Sequence, residues 1–495
     1  MTELAPILAW AVPGLPLAAA VALQATRTPS QADRLNLVTA VATAALALAL
    51  SAIVLARGGS APLRGDLYLL DGATGVFVGL IAVIGLCSAL LSPAYLRTAG
   101  RAWFSAGRSR HWYYAALYGF WGVLLAVPIA SNLGLAWLLI EATSATSALL
   151  IAFTGARHAL EAGWKYLVLT TLGLSVSLLG IVVLAAGLSG EGHEGLGALD
   201  WHALEQSASG LPAQATLVAF VLILAGLATK IGWAPVHNWL PDAHSEAPAP
   251  ISALLSGALL PTVALVAWRV KATLDSAVGG GTAGALFIAF GLVSLVVAIP
   301  FLWRSLPWKR LLAYSSLEHM GVIALGIGFG TPLAIAGVVI HVTAHGLAKA
   351  LGFYAALPLL RSDPHAARQA PQDVLATSRP TAVAMGVSLM ALGGLPPFPL
   401  FVSELLILLG GISAGETAVA SVAALALALR FLGLLHALLE GVIGSPAHRH
   451  RTRHRSERPL SALTAAVGAG LLALTVAGLL LPSSAFVETL ARGTL

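Results

Sequence analysis

Seven ionisable side chains stand inside stretches of sequence that are otherwise apolar: the cations Lys230, Lys349 and Arg430, and the acids Glu141, Glu318, Glu404 and Glu440. Glu440 lies near the end of its stretch, where a long side chain can reach outward to water. At mid-bilayer such a group costs roughly 2.5–3.5 kcal/mol or more, so it faces protein or water and marks an ion path by default. One buried pair could simply lock two helices together. A series spread over five or six segments points to transport. His341, His345 and Lys349 follow one another at intervals of four residues, which puts them on one helical face. Histidine titrates near neutrality, so this face reads as a proton ladder. Haem ligation fits poorly, because two neighbouring histidines on one helix cannot bind opposite faces of one iron. A metal site lacks a cysteine or an acid nearby in sequence.

The surroundings of these residues are unusual for apolar segments. Glu141 opens the run Glu141-Ala-Thr-Ser-Ala-Thr-Ser147, whose hydroxyls can bond water or other helices. Lys230 precedes Ile-Gly-Trp-Ala-Pro235; proline has no N–H and clashes with the preceding turn, which predicts a broken or kinked helix near 232–235. A polar segment follows, with His237, Asp242, His244 and Glu246. A second break is expected at Gly393-Gly394-Leu395-Pro396-Pro397, with Glu404 just beyond it. Broken helices inside a membrane are tolerated only along a cavity.

The elements that carry these residues follow from composition. Of 495 residues, 58% are hydrophobic and 10% charged, against roughly 25% charged in a soluble domain. That excludes a soluble enzyme, a disordered chain and a coiled coil. A spanning helix needs about 20 apolar residues, and the sequence offers 14 such segments, near 4–24, 35–56, 73–95, 112–130, 133–154, 164–188, 212–240, 250–270, 282–303, 309–329, 332–360, 380–413, 416–443 and 459–482. The expected fold is an all-α polytopic membrane protein, because apolar runs of this length satisfy their backbone internally only as helices.

The loops orient it. Alternate joints share a face, and one face collects 19 of the 27 Lys and Arg residues, the other 5, with Lys230, Lys349 and Arg430 left inside spans. The richer face is expected in the cytoplasm of a bacterial-type inner membrane, with both termini on the other side. The tract His448–Arg458 then reads as a cytoplasmic loop at anionic headgroups. The net charge of +6 belongs to these loops, not to nucleic-acid binding. Gly279-Gly280-Gly281 follows no strand and is a linker, not a nucleotide loop. The single cysteine, Cys87, can support neither an internal disulfide nor a cluster. The uncharged start after Met1-Thr2-Glu3 reads as a retained first span.

The two breaks lie five spans apart, in spans 7 and 12, and each carries an ionisable residue. This punctuation suggests two inverted five-helix repeats, spans 4–8 and 9–13. The expected organisation is one membrane domain: a three-helix region over 1–111, a first repeat over 112–271, a second over 282–443, and a basic loop with the last helix over 444–495.

The stretch from Ala228 to Gly257, ATKIGWAPVHNWLPDAHSEAPAPISALLSG, closely resembles the signature of the antiporter-like proton-channel subunits of respiratory complex I, membrane-bound nickel–iron hydrogenases and multisubunit sodium/proton antiporters. Further matches are Lys309-Arg-Leu-Leu-Ala-Tyr-Ser-Ser316 with His319-Met-Gly, the His341…His345…Lys349 series, and Gly393-Gly-Leu-Pro-Pro…Glu404. The run HSEAPAPISALLSG looks most like the F-type subunit of hydrogenase-4, and the glutamate of span 12 also fits the M-type complex I subunit. The resemblance implies that Glu141 pairs with Lys230, that His341, His345 and Lys349 form a central relay, and that Glu404 serves the far half-channel; His237 and His319 fall in the matched motifs and join this path. It departs at Pro261, where several complex I relatives carry a lysine. The implied function is a proton-translocating subunit of a complex I-like or hydrogenase-like energy-coupling complex. The alternatives are a subunit of a sodium/proton antiporter, or the energising subunit of an inorganic carbon uptake complex. This chain offers no ligands for a redox cofactor, so redox, antiporter or carbon-hydrating chemistry is expected in partner chains, with protons or sodium ions as the cargo.

Overall fold

The computed structural model describes residues 3–57, 61–97, 109–188, 195–362 and 374–444. Its helices are α1 (Leu4–Ala22), α2 (Pro29–Ala56), α3 (Gly72–Leu96), α4 (Ser109–Ala126), α5 (Leu133–Ile151), α6 (Arg157–Leu188), α7 (Trp201–Ser207), α8 (Ala213–Ile231), α9 (Leu240–Glu246), α10 (Ala249–Leu254), α11 (Leu260–Val278), α12 (Gly280–Leu302), α13 (Trp308–Phe329), α14 (Pro332–Ser362), α15 (Val374–Thr377), α16 (Arg379–Leu392), α17 (Pro399–Ser413) and α18 (Thr417–Ala437). Twelve helical segments among the described residues are long and apolar enough to cross a membrane, counting α10 and α11 as one, and α16 and α17 are shorter apolar helices. The protein is therefore a multi-pass membrane protein. The expected segment 459–482 and the tract His448–Arg458 lie outside the described residues.

The helices begin where the sequence supplies caps. Thr28 and Gln31 form a capping box on α2 ahead of Pro29, and Asp71 and Asn132 accept from the backbone N–H groups of Thr74 and Leu135 at the starts of α3 and α5. One departure from an all-helical reading is a small antiparallel hairpin, Leu63–Gly65 with Tyr68–Leu70, in the joint before α3. Three residues per strand are too few to carry the alternation that marks a strand in sequence.

The interior is built from the segments that carry charge. The window of Ala249–Val278 is 100% buried and that of Trp308–Phe329 94%, whereas Leu4–Ala25 is 28% buried and presents an apolar surface. Between α10 and α11 the chain makes a π-helical turn, Leu255–Leu259. Pro261 follows it and cannot donate the N–H that an α-helix would need there. At this turn Gly257 meets Gly346 of α14: a Cβ on either would fall within 2.7 Å of the other's carbonyl oxygen. Glycine at both positions lets the two backbones touch beside His345.

Three cations assigned to loops are buried in helices. Arg269 and Lys271, expected on the sparse face as loop cations, lie in α11 and are buried. Arg269 donates to both Asp71 oxygens at 2.9 and 2.8 Å and to the Pro128 carbonyl. Lys271 pairs with Asp275 at 2.7 Å. Lys309, counted as cytoplasmic, is likewise buried, at the start of α13. Carboxylates of Asp71 and Asp275 and backbone carbonyls from distant segments let these cations sit deeper than a loop boundary drawn from hydropathy allows.

Candidate functional site

The break after α8 forms as its residues require. Gly232 adopts φ +80°, a left-handed conformation that ends α8, and Pro235 follows through a cis peptide bond. The groups freed there find partners: Ala234 N–H donates to Ser294 Oγ at 3.0 Å, and the Trp239 indole donates to the Thr229 carbonyl at 2.7 Å. Lys230 sits in the last turn of α8, fully buried. Its Nζ donates to Ser144 Oγ at 2.7 Å and Tyr166 Oη at 2.5 Å, and lies 4.6 Å from the centre of the Tyr166 ring. Glu141, one turn before Ser144 on α5, accepts instead from Thr171 of α6 at 2.8 Å, and its second oxygen is buried with no partner. The two charges are thus held apart by hydroxyl groups from α5 and α6. His237 is half-buried in the break, with an unpartnered Nδ1, outside the hydrogen-bonded network of Lys230.

The second break lies between α16 and α17, where Gly394 has φ +70° and Pro396–Pro397 is cis. Here the arrangement is charged. Arg430 of α18 donates to both oxygens of Glu404 at 2.8 Å and to the Gly393 carbonyl at 3.1 Å. The same guanidinium reaches Glu318 of α13 at 3.2 and 3.3 Å. Arg430 and Glu318 are 1% and 0% exposed. A Cβ on Gly394 would stand 2.6 Å from Glu404 Oε2 and 2.9 Å from Arg430 Nη2, so only glycine leaves room for the pair.

The histidines join this cluster. His319 Nδ1 and His341 Nε2 are 3.0 Å apart, and His341 Nδ1 is 3.0 Å from Ser403 Oγ. The His319 and His345 rings lie 4.8 Å apart. His345 is fully buried and neither ring nitrogen has a hydrogen-bond partner. Lys349, also fully buried, donates to the Leu312 carbonyl at 2.7 Å. His319 of α13 meets His341 and His345 of α14, which share that helix with Lys349 as their spacing requires, while Lys230 and Glu141 lie at the other break.

Several residues of this interior carry no clear sequence signal of their role. His244 is fully buried with both ring nitrogens unpartnered, between Trp239 and Phe353. Since Trp239 also packs edge-on against Tyr166 at 4.9 Å, successive ring contacts join Tyr166, Trp239, His244 and Phe353 of α14. Lys309 donates to the Ser245 carbonyl at 2.6 Å and to that of Ala247, between α9 and α10. Tyr166 looks like an ordinary aromatic in an apolar span. Glu318 and Arg430 are visible only as charges out of place.

The fold also supplies the acid that the sequence spacing denies a metal. The candidate ligand atoms of His319, His341 and Glu404 lie within 4.8 Å of one another. Both Glu404 oxygens are taken by Arg430, and the facing nitrogens of His319 and His341 bond each other. A cation there would sit beside a guanidinium and compete with it for the same oxygens, so the geometry suits metal ligation poorly.

Comparison with known proteins follows the same lines. The sequence pattern of the family described as NADH:quinone oxidoreductase/Mrp antiporter, TM, matches residues 130–429, which contain both breaks and the buried ionisable residues described above apart from Arg430. A Hydrogenase-4 component F homolog from Methylacidiphilum infernorum is 35% identical over 350 residues, covering 70% of this chain and 72% of the relative. NADH-quinone oxidoreductase subunit N of Desulforudis audaxviator is 29% identical over 416 residues, 80% of this chain and 78% of that one. In solved structures, a chain of the Mrp complex from Dietzia sp. DQ12-45-1b superposes with a TM-score of 0.78 at 19% identity, covering 98% of this chain and 97% of that chain. That match concerns the fold alone.

Proposed function

Because the chain belongs to the NADH:quinone oxidoreductase/Mrp antiporter family of membrane subunits, we propose that it translocates protons as one subunit of a redox-driven, complex I-like or hydrogenase-like complex in a bacterial-type inner membrane. The observation that carries this reading is the run of buried ionisable groups from Lys230 through His345 and Lys349 to the Glu318–Arg430–Glu404 cluster, all at most 6% exposed. Burying so many charges and unpartnered imidazoles costs free energy that a passive scaffold would not need to bear.

The reading is electrostatic. When the Glu141 carboxylate comes near Lys230, it favours the charged lysine. When it is withdrawn to Thr171, as here, the lysine is held by neutral hydroxyls and can release its proton. The proton passes inward by way of His244, His345 and Lys349 to the His319–His341 pair, with water filling the cavities at the broken helices. Redox chemistry belongs to partner chains, and this chain itself binds no cofactor.

The same reading includes 14 spans, with a last helix near 459–482, inverted repeats over spans 4–8 and 9–13 within the boundaries 112–271 and 282–443, and both termini outside the cytoplasm. A break beside an ionisable residue in both halves supports the repeat. A reporter fused after residue 495 checks the orientation: activity only on the outer side is expected, and cytoplasmic activity contradicts it.

Gentle native purification and identification of the co-purifying chains tests the choice of complex. Hydrogenase or quinone-reductase subunits are the expected result. Antiporter subunits without redox chains, or a carbon-hydrating partner, would replace the redox reading with sodium/proton exchange or inorganic carbon uptake. Within the path, His345→Ala is expected to slow pumping by about tenfold; unchanged pumping removes His345 from the relay.

A further inference from the structure

The second break holds two carboxylates, and their geometry divides the work between them. Glu404 is clasped by Arg430 through two parallel bonds of 2.8 Å, one to each oxygen. A bidentate guanidinium pair is a strong, charge-assisted arrangement for a carboxylate, and arginine does not give up its proton. Glu318 meets only one nitrogen of the same guanidinium, at 3.2 and 3.3 Å. One fixed positive charge therefore faces two acids. Leaving the second acid charged and uncompensated in a fully buried site is costly.

The hydrogen-bond directions show where a proton can balance it. Ser403 spends its single hydroxyl proton on the Leu400 carbonyl, at 2.8 Å, so its oxygen accepts from His341 Nδ1, 3.0 Å away. With that proton on Nδ1, neutral His341 presents Nε2 as an acceptor, and His319 Nδ1 must donate to it across 3.0 Å. His319 Nε2 is then an unprotonated acceptor. It is buried, has no hydrogen-bond partner, and lies 3.7 Å from Glu318 Oε2. Two acceptors face each other there, with room for one proton between them.

We propose that Glu318, and not Glu404, is the carboxylate that loads and unloads the proton at the second break, exchanging it with His319, while Arg430 and Glu404 are a fixed charge pair that positions the break. This deepens the proton-translocation reading and rests on it. In the transfer, the O–H bond of Glu318 breaks and an N–H bond forms at His319 Nε2. The Nδ1 proton of His319 moves to His341 Nε2. The products are the Glu318 carboxylate and a His341 imidazolium, one proton having moved from α13 to α14. The charged groups around this step are Arg430 on α18, Glu404 on α17, and His345 and Lys349 on α14. Lys349 bonds the Leu312 carbonyl on the same helix as Glu318, so a proton leaving Lys349 and one arriving at Glu318 keep the cluster's charge constant.

The test uses the intact native complex in sealed proteoliposomes, reading proton uptake per turnover of the driving reaction. Glu318→Gln is expected to lower uptake by about tenfold or more while assembly persists, and Glu318→Asp to recover part of it. Neutralising the pair with Glu404→Gln plus Arg430→Gln is expected to lower uptake by a smaller factor than Glu318→Gln does. Normal uptake in Glu318→Gln, or full loss in the assembled double variant, overturns the assignment. If the double variant does not assemble, infrared difference spectra of the driven complex decide: a carboxyl C=O band that disappears in Glu318→Gln and shifts in Glu318→Asp supports it, and a band unaffected by either refutes it. Failure of the wild-type complex to take up protons would instead overturn the parent reading.

Discussion

The break beside Lys230 and the break beside Glu404 are made from the same materials, a positive-φ glycine, a cis proline bond and a buried charge, yet they hold that charge in opposite ways. Lys230 is surrounded by neutral donors and acceptors, Ser144 and Tyr166, with its nearest candidate counter-ion bonded elsewhere. No carboxylate among the described residues is hydrogen-bonded to it. Arg430 is permanently charged and gripped by two carboxylates and a carbonyl. A proton that moves near it must move on a neighbour. The contrast teaches that matching punctuation in sequence does not imply matching roles. One break holds a lysine among neutral hydroxyls, the other a bidentate salt bridge beside a second acid and a histidine pair.

The largest expected effect separates these two designs by stability. Arg430→Met strands the buried Glu404 carboxylate and removes the guanidinium contact of Glu318, and is expected to cost about 3–5 kcal/mol, seen as a fall in the unfolding temperature of the purified complex. Lys230→Met strands only hydroxyls, about 1 kcal/mol. Equal losses would erase the distinction. Next, Gly394→Ala is expected to cost about 1–3 kcal/mol, because its Cβ overlaps Glu404 and Arg430. Gly415, with φ +84° and open space around it, is the control for backbone strain alone, so a cost at Gly394 no greater than at Gly415 argues against a rigid pair. Ser403→Ala removes the anchor of the histidine wire and is expected to slow pumping by several fold, for a loss of about 1 kcal/mol. The smallest effect belongs to Thr171→Val. It frees Glu141 and is expected to change stability by less than about 1 kcal/mol, while raising the coupling between Glu141 and Lys230 in a double-mutant cycle of unfolding free energies.

Much of this interior was legible in the sequence, for physical reasons that can be named. Charge inside an apolar run is so costly that Lys230, Lys349 and Glu404 identify themselves. The proline of the WAP motif and the Gly-Gly-Leu-Pro-Pro run forecast both breaks, because a missing N–H and a positive φ leave a helix no alternative. The four-residue spacing of His341, His345 and Lys349 places them on one face without further information. What sequence could not supply was partnership. Glu141 and Lys230 look like an ion pair but are separated by Thr171, Ser144 and Tyr166, which come from two other turns of α6 and one of α5. Arg430 and Glu318 lie 112 residues apart, and nothing local says that one guanidinium serves both Glu318 and Glu404. The π turn before Pro261 and the depth of Lys309 and Arg269 likewise depend on neighbours contributed by distant helices.

The most direct test of the central claim is proton flux through the intact complex carrying Lys230→Ala. The driving reaction is measured alongside in sealed proteoliposomes. If this chain is a proton path gated at α8, the complex assembles and the driving reaction continues, while its proton flux falls by about tenfold or more. Flux equal to that of the unmodified complex, in vesicles shown to contain the variant chain, would contradict the account.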